Sequence, residues 1–166
     1  APLPYPGYDG IVPASAGTIA ANLKSAGYLT VALGKWDHLP SADMTQAGPF
    51  TLWPTGQGFD KFYGFIGADA DNWQPVLIDG TSPVPTPAVA DYHLNNDLAD
   101  RAIAAFDARN ARRGADPVFM YFATGTAHAP HHAPRAWIEH YRGRFDMGWD
   151  KAREAVLKRQ IALGIM

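Results

Sequence analysis

Two stretches of the chain repeat the same order of elements, and this repeat constrains the fold more than any other feature. In each stretch, a short amphipathic helix ends near a glycine, and a run of β-favouring apolar residues follows. The helices are predicted over 16–26 and 97–112, and the strands over 28–33 and 118–122. The second strand is apolar at every position, as in a parallel strand covered on both faces. Helices that alternate with such strands predict an α/β fold with a mainly parallel sheet.

Capping residues predict the helix boundaries. Asn95 or Asn96 can accept a backbone N–H at the start of the second helix, and Gly114 ends it. Near the end of the chain, Asp150 can cap a last helix. The segments predicted there are a helical turn over 137–141 and a helix over 151–163.

Residues 40–90 hold most of the prolines and glycines, which excludes a long regular element from this segment. The same segment is rich in large aromatic residues, namely Trp53, Phe59, Phe62, Tyr63, Phe65 and Trp73. Leaving these side chains in water would be costly, so we expect an ordered excursion with short turns. The alternating prolines between residues 81 and 89 predict an exposed extended run.

Composition narrows the classes of protein. A chain of 166 residues is one domain in length, and with 47% apolar residues it can bury a substantial core. It has no cysteine, which excludes a disulfide framework, a thiol nucleophile and a Cys-ligated zinc. Basic residues are concentrated in 101–166 but are interspersed with aromatic and acidic ones, so we expect no nucleic-acid partner. No apolar stretch approaches the ~20 residues of a membrane-spanning helix, and we expect no membrane partner.

The loops after the two predicted strands are the candidate site, because ligands of open α/β sheets bind beyond the carboxyl ends of the strands. The candidate residues in these loops are Lys35, Trp36, Asp37, His38, His128, His131 and His132. A lysine and several histidines at one sheet edge can bind an oxyanion through charge-assisted hydrogen bonds. A protonated histidine can also act as general acid toward a departing alcohol. The alternative is that the lysine is solvated and the histidines cap backbone groups of a proline-rich loop.

Two kinds of metal site are disfavoured by the sequence. His128, His131 and His132 are close together, but prolines interrupt their segment, and the helical His pair with a general-base Glu is missing. Residues 69–72 read Asp-Ala-Asp-Asn, yet they lack the glycine and the terminal glutamate of an EF-hand loop. We therefore interpret residues 69–72 as a turn with a solvated acidic face, and we expect no metal ligands in this chain.

Segments that carry a family resemblance lie along nearly the whole chain. They are 18–28, 34–36, 47–50, 53–60, 62–65, 128–134 and 145–150. Through the lysine turn and the His-x-Pro loop the chain resembles the type I sulfatases, and its aromatic excursion is similar to that of the large bacterial arylsulfatases. The resemblance implies an alkaline-phosphatase-like α/β fold that hydrolyses small-molecule sulfate esters. It also implies a formylglycine hydrate as nucleophile and a calcium ion that holds the sulfate.

The resemblance also implies roles for individual residues. Lys35 and His128 match the family's lysine and histidine that contact the sulfate. The family commonly has Gly-Lys-Trp-His; here Asp37 takes the fourth place, and His38 follows as a candidate for the histidine that pairs with the nucleophile. The expected substrate-binding residues are Trp36, Asp37 and His131.

Two parts of the family pattern have no counterpart in this sequence. The Cys/Ser-x-Pro/Ala-x-Arg motif of the formylglycine precursor is missing, and so are the aspartates and the Asp-Asn pair that bind calcium. We therefore expect residues 1–166 to be a single fragment of a sulfatase catalytic domain, inactive alone and able to self-associate through unpaired sheet edges. The alternatives are a phosphate or phosphonate ester hydrolase of the same superfamily and a non-catalytic anion-binding domain.

Overall fold

The computed structural model describes residues 11–111 and 116–166. The chain divides into two compact units, Ala1–His132 and Ala133–Met166. The elements of the first unit are α1 (Ile19–Ser25), β1 (Leu29–Trp36), β2 (Lys61–Ile66), β3 (Leu77–Asp79), β4 (Ser82–Val84), α2 (Leu94–Asn110) and β5 (Val118–Ala123). Those of the second unit are α3 (Arg135–Tyr141) and α4 (Gly148–Ala162).

The strands of the first unit form one sheet in the order β4-β3-β2-β1-β5. β1 pairs in parallel with both β2 and β5, while β3 and β4 add on in antiparallel pairs. Helix α1 directly precedes β1, and α2 precedes β5, so both helix-then-strand units are present. The predicted α/β class, with a mainly parallel sheet and flanking helices, is confirmed.

β1 is longer than predicted, and this changes the setting of the candidate site. Glycine often ends a strand pattern, but the strand continues through Gly34 to Trp36. Gly34 has a φ of +99°, and a Cβ there would collide with the carbonyl oxygen of Ala123 in β5. The glycine is therefore required for the close approach of the two backbones, and Lys35 lies in a strand rather than in a loop.

A hydrophobic cluster covers each face of the sheet. The buried residues of the first cluster are Ala20, Ala32, Trp36, Leu39, Trp53, Phe59, Phe62 and Ile78. Those of the second, which includes residues of α2, are Val31, Leu33, Tyr63, Phe65, Leu77, Leu94 and Leu98. Most aromatic residues of the excursion are core residues, as expected, whereas Trp73 remains 37% exposed.

The excursion contains a regular strand that the sequence pattern does not predict. β2 is the parallel neighbour of β1, with Gly64 opposite Gly34. The sequence pattern predicts an ordered excursion with short turns and without a long regular element, and the six-residue β2 adds a strand that this prediction does not name. The extended run over 81–89 is confirmed in part: β4 occupies three of its residues, and much of the remainder is exposed.

Two helix starts differ from the prediction. α2 begins at Leu94, and its N-cap is His93, whose ring Nδ1 accepts from the Asn95 backbone N–H at 3.2 Å. Asn95 lies inside the helix, so the prediction that it or Asn96 caps the helix is wrong. The predicted end at Gly114 lies outside the described residues. α4 begins before Asp150, which lies in the first turn and accepts from Arg153 instead of capping the helix.

The second unit consists of α3, α4 and the turns between them. The helical turn predicted over 137–141 lies within α3, and the helix predicted over 151–163 corresponds to α4. Arg142 follows α3 and makes two 2.6 Å hydrogen bonds to the Glu139 carboxylate. Among the described residues, none of the helices combines the length and the apolar character that a membrane crossing requires.

Candidate active site

The carboxyl ends of β1 and β5 form the edge at which the candidate residues were expected. Gly34 pairs with Ala123, so Lys35 lies level with the first residue of the loop after β5. A Cβ on the buried Gly125 would lie 3.0 Å from the ring of Phe65, the residue of β2 that pairs with Lys35. The loop after β5 therefore crosses the end of β1 toward β2.

Lys35 is partly accessible at this edge. Its side chain is 30% exposed, and Nζ lies 3.8 Å from Oδ2 of Asp37. This separation is that of a loose ion pair and is too long for a hydrogen bond. An ammonium group has three donors, so Lys35 can bind an anion without displacing Asp37.

Trp36 and His38 have different surroundings. Trp36 is 7% exposed, belongs to the first cluster, and donates its indole N–H to the Leu52 carbonyl oxygen at 2.9 Å. The ring of His38 meets that of Trp36 edge-on at 5.0 Å between centroids, and both line an apolar pocket of about 200 Å³. Because successive residues of a strand point to opposite faces, Trp36 is directed away from the face of Lys35. The structure thus groups His38 with Trp36 and not with Lys35.

His128 lies on the loop that crosses the edge. Its side chain is half exposed, with Nδ1 2.8 Å from the Ala129 carbonyl oxygen and 4.0 Å from Oδ2 of Asp69. The preceding residue, Ala127, has a φ of +87°, an uncommon conformation for a residue other than glycine. The loop therefore holds His128 in a constrained turn, with a carboxylate at the outer limit of an ion pair.

His132 lies farther along the same loop and faces two different partners. Its Nδ1 is 3.3 Å from the Asn72 backbone N–H and 3.3 Å from Oδ1 of Asp71. A neutral Nδ1 can accept from Asn72, whereas a protonated one donates to Asp71. His131, between this residue and the crossing segment, is exposed.

The segment after β2 is a turn, as expected. Oδ1 of Asp71 accepts from the backbone N–H groups of Trp73 at 2.7 Å and Gln74 at 2.9 Å. The hydrogen bonds from Gln74 and then Trp73 are the main causes that lower the pKa of Asp71. The nearby His132 lowers this pKa further. The carboxylates of this turn thus face both ends of the histidine loop, a contact that sequence spacing does not show.

The described residues do not supply a site for the metal that the family resemblance implies. Within 11–111 and 116–166, no group of three or more histidines or carboxylates is close enough to hold a metal ion. The chain also has no cysteine, and none of its serines begins the Ser-x-Pro/Ala-x-Arg motif from which formylglycine could be made. Calcium and formylglycine therefore do not fit the residues present, and no step is derived through them.

The fold and the edge together define an α/β domain with a lysine and a histidine loop at the carboxyl ends of adjacent parallel strands. The family model described as Sulfatase matches residues 4–164. The chain therefore belongs to the sulfatase family.

Several curated relatives match most of the chain. An uncharacterized sulfatase of Schizosaccharomyces pombe is 23% identical over 97% of this chain and 30% of its own length. The arylsulfatase of Klebsiella aerogenes is 25% identical over 90% of this chain and 32% of its own length. Arylsulfatase J of Mus musculus is 28% identical over 79% of this chain and 22% of its own length. The chain thus spans about a third or less of these relatives.

Solved structures share the fold. The crystal structure of Ps i-CgsB in complex with k-i-k-neocarrahexaose matches with a TM-score of 0.66 at 23% identity, over 85% of this chain and 33% of that one. The crystal structure of Ps i-CgsB matches with the same TM-score at 24% identity and the same coverage. At this level of identity, the likeness extends to the fold alone.

Proposed function

We propose that this chain forms one wall of the sulfate-binding site of a sulfuric ester hydrolase, with Lys35 and His128 as the groups that contact the ester's anion. The supporting observation is that, in a chain of the sulfatase family, β1 and the loop after β5 bring these residues to one edge of the sheet. The substrate is a small-molecule sulfate ester. Asp37 and His131 flank the two contacts, and Trp36 supports them from the core.

The proposed contacts follow from charge and geometry. The Lys35 ammonium group keeps donors available beside its 3.8 Å pair with Asp37. A protonated His128 adds a second cation, 4.0 Å from the Asp69 carboxylate. Charge-assisted hydrogen bonds of this kind contribute about 1.5–3 kcal/mol each. His38 is the third catalytic residue that the resemblance implies, but it lies beside Trp36 and not beside Lys35, so no contact with the sulfate is proposed for it.

The isolated chain is proposed to be catalytically inactive. Calcium and formylglycine are the electrophilic and nucleophilic groups expected of the parent enzyme. The residues described above include no group of calcium ligands and no formylglycine precursor. The isolated chain is therefore expected to hydrolyse no aryl sulfate above the buffer rate. Sustained turnover that is abolished by Lys35→Ala would contradict this proposal.

Sulfate binding tests the site itself. Calorimetric titration with sodium sulfate should show binding that Lys35→Ala and His128→Ala each weaken about tenfold or more, the factor that 1.5 kcal/mol or more gives. Lys61→Ala is the matched control, because Lys61 is exposed at the opposite end of the parallel strands. Equal affinity in all three variants would exclude this edge as the anion site. Tighter binding of phosphate than of sulfate would favour the phosphate ester alternative.

Self-association is a further part of the proposal. β5 is an edge of the described sheet, with β1 as its neighbour there. Tyr121 is 37% exposed and Phe122 is 43% exposed, although the strand is apolar at every position. Such an edge can pair with a second copy of the chain.

A further inference from the structure

The first turn of α2 contacts both loops of the candidate site. The Leu94 backbone N–H donates to the Asn72 carbonyl oxygen at 2.8 Å, which ties the helix to the turn after β2. The Asn95 side chain donates from Nδ2 to Oγ1 of Thr126 at 2.6 Å, which ties the helix to the loop after β5. α2 is thus the element through which the two loops share a common support.

The support is built from buried groups. His93, the N-cap of α2, is 4% exposed, and its ring lies edge-on to Trp73 at 4.9 Å between centroids. Its Nε2 lies 3.5 Å from the carbonyl oxygen of His132, at the far end of the histidine loop. Leu94 is fully buried in the second cluster. The helix start therefore cannot shift without disturbing the core.

The contact of Asn95 with Thr126 lies close to the constrained part of the loop. Thr126 precedes Ala127, whose φ is +87°, and His128 follows directly. The His128 backbone N–H donates to the Gly125 carbonyl oxygen at 3.2 Å, which closes a tight turn around these residues. Oδ1 of Asn95 is buried and has no hydrogen-bond partner among the described residues. The amide is thus held in an orientation that satisfies Thr126 while leaving its own acceptor unpaired, which is costly in a buried position.

We propose that Asn95 is a positioning residue for the sulfate contact of His128. It holds the Thr126 hydroxyl and thereby fixes the turn that presents the imidazole at the sheet edge. The expected effect on sulfate binding rests on the proposed function, whereas the effect of Asn95 on the turn at His128 does not require sulfate. A merely structural Asn95 would affect the unfolding of α2 and leave the turn at His128 unchanged.

Isosteric substitutions separate these roles. Asn95→Leu keeps the branched shape of the side chain but removes both its donor and its acceptor, and Thr126→Val removes the hydroxyl group at nearly constant volume. Thr126→Ser keeps the hydroxyl and should behave like the parent chain. Asn96→Leu is the matched control, because Asn96 is the neighbouring residue of the same helix and is exposed.

Two measurements on the full chain test the proposal. Hydrogen exchange of the His128 backbone amide should accelerate about three- to tenfold in Asn95→Leu and Thr126→Val, the factor that loss of one net hydrogen bond gives. Calorimetric titration with sodium sulfate should show a loss of similar size in both variants. The double variant should lose no more than either single variant, because both substitutions remove the same bond.

The outcomes are distinguishable. Exchange and sulfate affinity in Asn95→Leu and Thr126→Val that match those of Asn96→Leu would overturn the positioning role. Circular dichroism identifies any variant that fails to fold, and Thr126→Val, at an exposed loop residue, then serves as the decisive variant. If the unsubstituted chain binds no sulfate, the proposed function fails, and exchange at His128 alone decides whether Asn95 holds the loop.

Discussion

Asp97 is the central acceptor of a polar network between α2 and the sheet, and its replacement measures how firmly that network holds the helix. Its Oδ2 accepts hydrogen bonds from the hydroxyl groups of Tyr63 at 2.6 Å and Tyr92 at 2.9 Å. Nε of Arg101 lies 3.5 Å from Oδ1, and the same guanidinium stacks over the Tyr63 ring at 4.1 Å from its centroid. One carboxylate therefore connects β2, α2 and the segment that precedes α2.

The expected loss of stability follows from these contacts. Each hydrogen bond to a charged acceptor contributes about 1.5–3 kcal/mol. The pair with Arg101 adds about 1 kcal/mol or less, because the arginine side chain is 45% exposed. Tyr63 and Arg101 line a cavity of about 340 Å³, through which water can reach the Tyr63 hydroxyl group once the carboxylate is removed. This access favours the lower limit of the hydrogen-bond contribution. We expect Asp97→Ala to lower the free energy of unfolding by about 3 kcal/mol.

Urea unfolding followed by circular dichroism measures this change. Asp100→Ala is the matched control, since Asp100 is exposed on the same helix and its replacement should change stability by less than about 0.5 kcal/mol. Equal midpoints for Asp97→Ala and Asp100→Ala would show that the network does not hold the helix and would refute the reasoning.

The same network has a pH signature. Burial, together with the Asp97 carboxylate, raises the pKa of Tyr63 from 10.0 to about 12. Because the pKa is raised in the folded state, the associated stabilisation is complete below pH 10 and is lost as the pH rises through 12. In Asp97→Ala, the phenolate absorbance of Tyr63 should appear at a lower pH than in the parent chain.

Three further predictions concern the sheet. Gly34→Ala should prevent stable folding, because the new methyl group meets the Ala123 carbonyl oxygen; the soluble fraction after expression measures this, and a normal yield of folded protein would contradict it. Burial raises the pKa of Asp60, but hydrogen bonds from Lys24 and Thr30 outweigh burial and lower this pKa below 3.8. The stabilisation from the Asp60 carboxylate is therefore present above pH 3.8 and is lost as the pH falls further. Asp60→Asn should therefore reduce the loss of stability between neutral and acid pH in urea unfolding, and an unchanged acid limb would contradict this. Phe122→Lys should shift the chain toward monomer in sedimentation velocity, whereas a parent chain that is already monomeric would refute self-association through β5.

Two of the five strands, β1 and β5, were predictable because periodicity and local composition agree there. The continuous apolar run of β5 and the helix before it carry signals that need no tertiary information. β2 was not predictable in the same way, because Gly64 is required by the close approach of the Gly34 backbone, a contact between strands. Gly64 is required by a contact with a residue that is distant in sequence, but in its local sequence a glycine indicates a turn.

The candidate site was predictable only as far as strand order allows. Parallel strands send their following loops to one edge, and this rule alone brings Lys35 and His128 to the same side of the sheet. The roles of Asp69, Asn95 and Thr126 depend on how the loop after β5 crosses β1 and meets α2. No spacing in the sequence encodes that crossing, and the burial of the N-cap His93 also depends on the tertiary structure.

Lys35 belongs to β1, which has hydrogen-bonded neighbours on both sides, while Asp37 and the residues after it belong to a connecting segment. Replacing the connecting segments by protein engineering would therefore leave Lys35 in its register within the sheet. In the proposed site, the sheet therefore fixes the contact that Lys35 makes with the charged end of a substrate, whereas the contact of His128 depends on the loop after β5.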